Sequence, residues 1–180
     1  MVFCPGADAA GHDRWTTEKV TRLCGGLFVM LTVVRPLANA PELASWARSA
    51  GFDDIVPSNW HVTIAKTHEP IDLGTLKPDA SSVIVPASRH RLVARMGEFI
   101  ALRFRSTTIA TRHRQFRAAG AGWEHRDYRP HVTIAINDRR EFDSVVPFAG
   151  ELVFGGEIWC PPMYATLLGP APVGLPSSGD

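Results

Sequence analysis

Apolar residues recur at two different periods along this chain, and the changes of period divide it into elements. Leu27 to Val34 is a run of branched and aromatic residues closed off by Pro36, which predicts a strand. Asn39 in an N-cap position and Pro41 in the first turn then predict a helix over 40–50. Leu43, Trp46, Ala47 and Ala50 lie on its apolar stripe, and Gly51 stops it. Strand character returns over 60–66, followed by a turn-rich stretch over 68–80. Segments 83–86, 91–96 and 99–104 predict strands, the last two joined as a hairpin around Gly97. In the last of them Leu102 and Phe104 alternate with Arg103 and Arg105, as in a strand with one face in water. A second helix is predicted over 107–119, ending at Gly120, then a strand from His131, and strands at 152–154 and 158–168. Residues 15–23 suggest one more short helix. Segments 1–13 and 171–180 have no periodicity and read as poorly ordered tails around one domain at 14–170.

The pattern contains a repetition. His-Val-Thr-Ile-Ala occurs at 61–65 and again at 131–135, 70 positions apart (131 − 61). Each copy follows one of the two long helices, so the chain reads as a weak internal duplication of α+β class. In a strand, residues two apart share a face. His61 and Thr63 therefore point one way while Val62 and Ile64 point into the core, and His131 and Thr133 repeat the arrangement. A repeat that served packing alone would keep Val and Ile; it would not need His and Thr on the polar face both times. Two related halves can bring all four polar side chains to one cleft.

Composition narrows what that cleft can do. With 45% hydrophobic residues, 21% charged residues and a net charge of +1, the chain resembles an ordinary globular domain and gives no electrostatic reason to wrap duplex DNA. The arginines crowd the central third, from Arg89 to Arg117, where solvated strand and helix faces are the plain expectation. Three cysteines, Cys4, Cys24 and Cys160, without a CxxC pair argue against a disulfide framework or a structural zinc site and suit a reducing, cytoplasmic setting. No apolar run is long enough to span a bilayer, and the amino terminus does not resemble a signal peptide. No His, Cys and Asp cluster has metal-ligand spacing, so neither metal nor other cofactor is expected.

Two imidazoles across a cleft suit phosphodiester chemistry without a metal. A neutral His takes the proton of the attacking hydroxyl, and a protonated His gives one to the leaving oxygen. An unperturbed pKa of about 6.5 lets both forms coexist near neutrality. Threonine hydroxyls can donate to the non-bridging phosphate oxygens where charge develops.

Two HxT motifs on strands of duplicated α+β halves resemble the 2H phosphoesterase superfamily, which includes RNA 2′,3′-cyclic phosphodiesterases. That resemblance implies two pseudo-symmetric lobes of antiparallel sheet and helices around a central cleft. A narrower one rests on Arg112-His113, Gly120, Gly122-Trp123-Glu124, Tyr128 and Pro130-His131. This order is similar to that of the phage and prophage anti-CBASS nucleases, with Gly122 where they usually have Ser. It implies a metal-independent enzyme that cleaves the 3′–5′ bonds of adenosine-containing cyclic di- and trinucleotide messengers in the bacterial host cytoplasm. His61, Thr63, His131 and Thr133 fall on the catalytic positions. Glu157, after the segment Phe148 to Gly156, falls where an acidic residue accepts from the adenine amino group. Trp159 lies near the position of a base-stacking aromatic, and Phe28 stands on the first strand where the family has Tyr.

The remaining aromatic and histidine candidates are less specific. Trp123 and Tyr128 can stack on a base, but an anchoring role for the loop into the second HxT strand is favoured. Trp60 points away from the polar face and reads as core. His113 can touch a phosphate, or serve as a cap or solvent-facing group. Two further readings share the chemistry or replace it: a 2′,3′-cyclic phosphodiesterase acting on RNA ends or small cyclic nucleotides, and a non-catalytic nucleotide-binding module.

Overall fold

Pairing of β-strands across the middle of the chain places the two repeats next to each other. The computed structural model describes residues 28–29, 31–52, 60–67, 71–74, 76–136, 139 and 141–160. The predicted helix at 15–23, the two tails and the stretch after Cys160 lie outside them.

The strands are β1 (Phe28–Val29), β2 (Thr32–Pro36), β3 (His61–Lys66), β4 (Ile71–Asp72), β5 (Val83–Val85), β6 (Leu92–Met96), β7 (Phe99–Arg103), β8 (His131–Ile136), β9 (Leu152–Phe154) and β10 (Ile158–Cys160). Helix α1 (Ala40–Ser49) joins β2 to β3, and α2 (Thr107–Ala118) joins β7 to β8. The main sheet has the order β10-β2-β3-β8-β7-β6, with antiparallel pairing throughout. Each half is thus a strand, a helix and a returning strand, and the returning strands, β3 and β8, meet at the centre. Two-stranded sheets β1-β4 and β5-β9 complete the described structure. The predicted strand over 27–34 is divided between β1 and β2, and β4 lies in the stretch expected to be turns.

Alternation produces the core. Val62, Ile64, Val132 and Ile134 have no exposed surface, and they pack with Leu43 and Ala47 of α1 and Ile109 and Phe116 of α2 in one cluster. Trp60 joins that cluster, as expected. Between β6 and β7 the two-residue turn Gly97-Glu98 has positive φ at its first position only, a type II′ geometry that suits glycine and matches the strand twist.

Two local expectations, on Asn39 and on the cysteines, are corrected. Asn39 makes no side-chain cap to α1; its amide accepts from Val153 N and donates to the Glu151 carbonyl, tying the helix start to β9. Ser106 does cap α2, accepting from Ile109 N. Cys160 is disulfide-bonded. An odd cysteine count leaves room for one pair, and separation in sequence places no limit on proximity in space.

Candidate active site

Val62 pairs with Val132 where β3 and β8 run antiparallel. Continued one residue either way, that register sets His61 against Thr133 and Thr63 against His131. All four flank the buried valine pair on the opposite face of the sheet, and all four are half-buried. The pentapeptides thus bring their polar members to one surface patch.

Both copies also carry the same β-bulge. On β3 the pairing with β2 passes from Thr63 to Ala65 and leaves Ile64 unpaired; on β8 the pairing with β7 passes from Thr133 to Ala135 and leaves Ile134 unpaired. The extra residue turns Ile and Ala of each copy to the core together, which is why both are buried in both strands. A bulge immediately after the HxT triplet increases the local twist beside the polar patch.

The contacts of His131 fix its tautomer. His131 Nδ1 lies 2.8 Å from the Arg129 carbonyl. A carbonyl only accepts, so Nδ1 carries the proton and Nε2 is the nitrogen that can exchange one. Burial pushes the His131 pKa below its ordinary value. The bond to the Arg129 carbonyl opposes that shift, while the charges of His61, Arg103 and His125 reinforce it. Electrostatic coupling of His61 to His131 places the two imidazoles within reach of each other's field.

Arg103 is a site residue that the sequence did not single out. It pairs with His131 in the β7-β8 ladder and therefore shares the polar face. Its Nε is buried without a hydrogen-bond partner. Period-2 alternation placed Arg103 on the exposed face of its strand; only the strand register shows that His131 is its neighbour.

An aromatic stack supports the patch from behind. The His113 ring lies parallel to Tyr128 with centroids 4.0 Å apart, and Trp123 meets both edge-on. Tyr128 Oη donates to the Thr63 carbonyl at 2.7 Å, and His113 Nδ1 donates to the Ile64 carbonyl at 2.7 Å. The second half thereby grips the first HxT strand. His113 is buried, which corrects both the phosphate-contact and the solvent-facing expectations for it. Tyr128 and Trp123 act as anchors here, with the Trp123 indole N–H buried and unpartnered. Burial raises the Tyr128 pKa, so its hydroxyl stays a donor.

Glu157 is placed elsewhere. Its side chain is fully buried and takes a two-point contact from Arg112, Nε to Oε1 at 2.7 Å and Nη2 to Oε2 at 2.9 Å. Asp79 N and Trp159 Nε1 also donate to it at 3.1 Å, and Arg35 lies 3.5 Å away. In this conformation the carboxylate is engaged by the protein. Trp159 is buried edge-on to Phe116 rather than displayed. The Phe28 side chain lies outside the described residues; its backbone pairs with Asp72. Among the described residues no group of three or more His, Cys, Asp or Glu is arranged to hold a metal, and no helix is long and apolar enough to cross a membrane.

Similarity to known proteins covers this same region. Residues 26–161 match the family described as anti-CBASS protein Acb1. Over 138 residues the chain is 36% identical to an anti-CBASS protein Acb1 of Caulobacter sp. (strain RHG1), which covers 72% of this chain and 22% of the relative. A protein of the same description from Sphingomonas paeninsulae is 32% identical over 140 residues, with the same coverage of each chain. The match occupies about a fifth of the length of these relatives.

Proposed function

The chain belongs to the anti-CBASS protein Acb1 family, and from that premise we propose that it disarms cyclic-nucleotide antiphage signalling as a 2H-type phosphodiesterase. Its substrates are cyclic di- or trinucleotides in the cytoplasm of an infected bacterium, and it opens their 3′–5′ bonds without a metal. The observation that carries the reading is the apposition of His61-Thr63 and His131-Thr133 on one face across the Val62-Val132 pair.

The surroundings of His131 support one assignment of the two roles. His131, with its Nδ1 proton held by a carbonyl and its pKa lowered, is neutral at pH 7 and suits the general base. Its Nε2 takes the proton of a ribose 2′-hydroxyl as that oxygen attacks the adjacent phosphorus. His61, protonated, gives its proton to the leaving 5′-oxygen, and the P–O5′ bond breaks. Thr63 and Thr133 donate to the non-bridging oxygens. The product carries a 2′,3′-cyclic phosphate. In a second step His61, now neutral, activates water and His131 returns a proton to the 2′-oxygen, leaving a 3′-phosphate. General acid and general base each contribute ~10²–10⁴-fold in such schemes.

Incubation with 3′,3′-cGAMP in EDTA tests the reading, with linear products expected. Intact substrate at high protein concentration sinks it, and turnover by a His61→Ala/His131→Ala variant sinks the mechanism. A strong preference for 2′,3′-cyclic mononucleotides reassigns the same site to RNA ends. Tight binding without turnover makes it a nucleotide-binding module.

A further inference from the structure

A pocket of about 500 Å³ opens where β7 runs into α2, next to the start of β8. Four arginines line it, Arg103, Arg105, Arg114 and Arg129, together with Ser106 and Thr107 at the first turn of α2. No carboxylate lines it. It lies outside the four-residue patch but borders it twice, because Arg103 pairs with His131 and Arg129 precedes His131 by two residues.

These cations have little to satisfy them. Arg129 has an ion pair with Asp127 at 3.6 Å between exposed groups, and Arg114 donates to Thr111 on its own helix. Arg103 Nε is buried and unpartnered. Two guanidiniums elsewhere are held by carboxylates: Arg35 donates to Ser81, Gly155 and Asp79, and Arg112 holds Glu157. The helix starts differ in the same sense. The first turn of α1 contains Glu42, which accepts from Asn39, whereas that of α2 has no acidic residue. The positive end of a helix dipole thus adds to the arginine field at the pocket.

We propose that this pocket binds a phosphate of the substrate other than the one being cleaved. Planar guanidiniums match the paired oxygens of a phosphate, and a volume of this size admits a nucleotide-sized group. A cyclic dinucleotide carries two phosphodiesters in one ring, so seating one between the arginines presents the other to the histidines. The inference rests on the proposed function and deepens it, because it gives a physical reason to prefer substrates with two or more phosphates over a single cyclic phosphate.

The test compares wild type with Arg105→Gln/Arg114→Gln, two exposed positions away from the core. On 3′,3′-cGAMP, kcat/KM falls about 10- to 100-fold, as for lost hydrogen bonds to a charged group. The loss on 2′,3′-cyclic AMP is at least tenfold smaller. Equal losses on both substrates, or no loss on 3′,3′-cGAMP, overturn the assignment. Affinity for inorganic pyrophosphate, read by calorimetry in the His61→Ala/His131→Ala background, separates the two claims. If wild type cleaves no cyclic dinucleotide, the proposed function fails and the pyrophosphate affinity decides the pocket. Its loss on adding the Arg105→Gln/Arg114→Gln pair supports the anion site; an unchanged affinity removes it.

Discussion

Strands β3 and β8 carry the same five residues and the same bulge, yet they face different neighbours. Beside His61 in the ladder stands Pro36; beside His131 stands Arg103. Beside Val62 stands Arg35; beside Val132 stands Leu102. Each half therefore supplies one arginine next to its HxT strand, but on opposite faces of the sheet. In the first half the cation points into the core and is locked by Asp79 and the carbonyls of Ser81 and Gly155. In the second it shares the polar face with His131. Duplication sets where the two imidazoles sit, and the partner strands set what each can do. Identical pentapeptides thus stand in unlike surroundings, His131 paired across the ladder with an arginine and His61 with a proline.

The largest effect that tests this asymmetry is loss of either imidazole. His61→Ala and His131→Ala are each expected to lower kcat on 3′,3′-cGAMP by about 10²–10⁴-fold. They should differ in the pH profile of what remains. Removing the base abolishes the fall in rate on the acid side, and removing the acid abolishes the fall on the alkaline side. Residual activities with the same pH limb missing would break the comparison.

The buried charge of the first half predicts a loss of stability rather than of chemistry. Glu157→Gln leaves Arg35 and Arg112 beside a neutral amide in a fully buried position. Removing one partner of a buried ion pair costs about 3–5 kcal/mol, measurable by urea denaturation. A loss below ~1 kcal/mol would mean that Glu157 is not the hub joining β10 to α2.

Arg103→Gln sharpens the comparison by making the second half more like the first. Loss of a guanidinium from the arginine pocket beside His131 lowers kcat/KM on 3′,3′-cGAMP about 10- to 100-fold. His131 also loses one of the charges that depress its pKa, so the acid limb of the rate profile moves to higher pH. The move is partial, because burial is the larger cause. A rate loss with no movement of that limb would detach Arg103 from His131.

Much of this was legible in the pattern of residues, for physical reasons that also mark the limit. The period of two placed His61, Thr63, His131 and Thr133 on one face of their strands, and the glycine stops at Gly51 and Gly120 marked the ends of both helices. What pattern cannot carry is register. The Ile64 and Ile134 bulges leave the local alternation intact up to Thr and shift it only after. Arg103 and Arg105 looked alike on an exposed face, and only pairing with His131 separates them. Glu157 and His113 defied expectation for a related reason. Polar side chains enter a core when partners distant in sequence satisfy them, here Arg112 for Glu157 and the Ile64 carbonyl for His113.

His113 supplies the smallest predicted effect, and it tests how far the second half supports the first. Its ring is wedged between Tyr128 and the β3 backbone, and burial depresses its pKa. The bond to the Ile64 carbonyl works against that shift, and the positive charges of Arg117 and Arg114 work with it. Above the ordinary histidine value of about 6.5 the ring is neutral in both folded and unfolded chains, and its contribution is intact. As pH falls below 6.5 the unfolded chain takes up the proton first, so stability drops as pH falls toward and through the lower folded pKa. His131, depressed in the same direction, adds to the drop. Between pH 7 and pH 5 the expected fall in Tm is about 2–4 °C, the span that ~1 kcal/mol produces in a chain of this size. His113→Gln retains an amide donor for the Ile64 carbonyl and removes the titration, so its Tm profile is flatter over that range. A profile as steep as wild type would mean that the proton uptake belongs to other groups, and that the stack against β3 opens no more readily in acid than the rest of the fold.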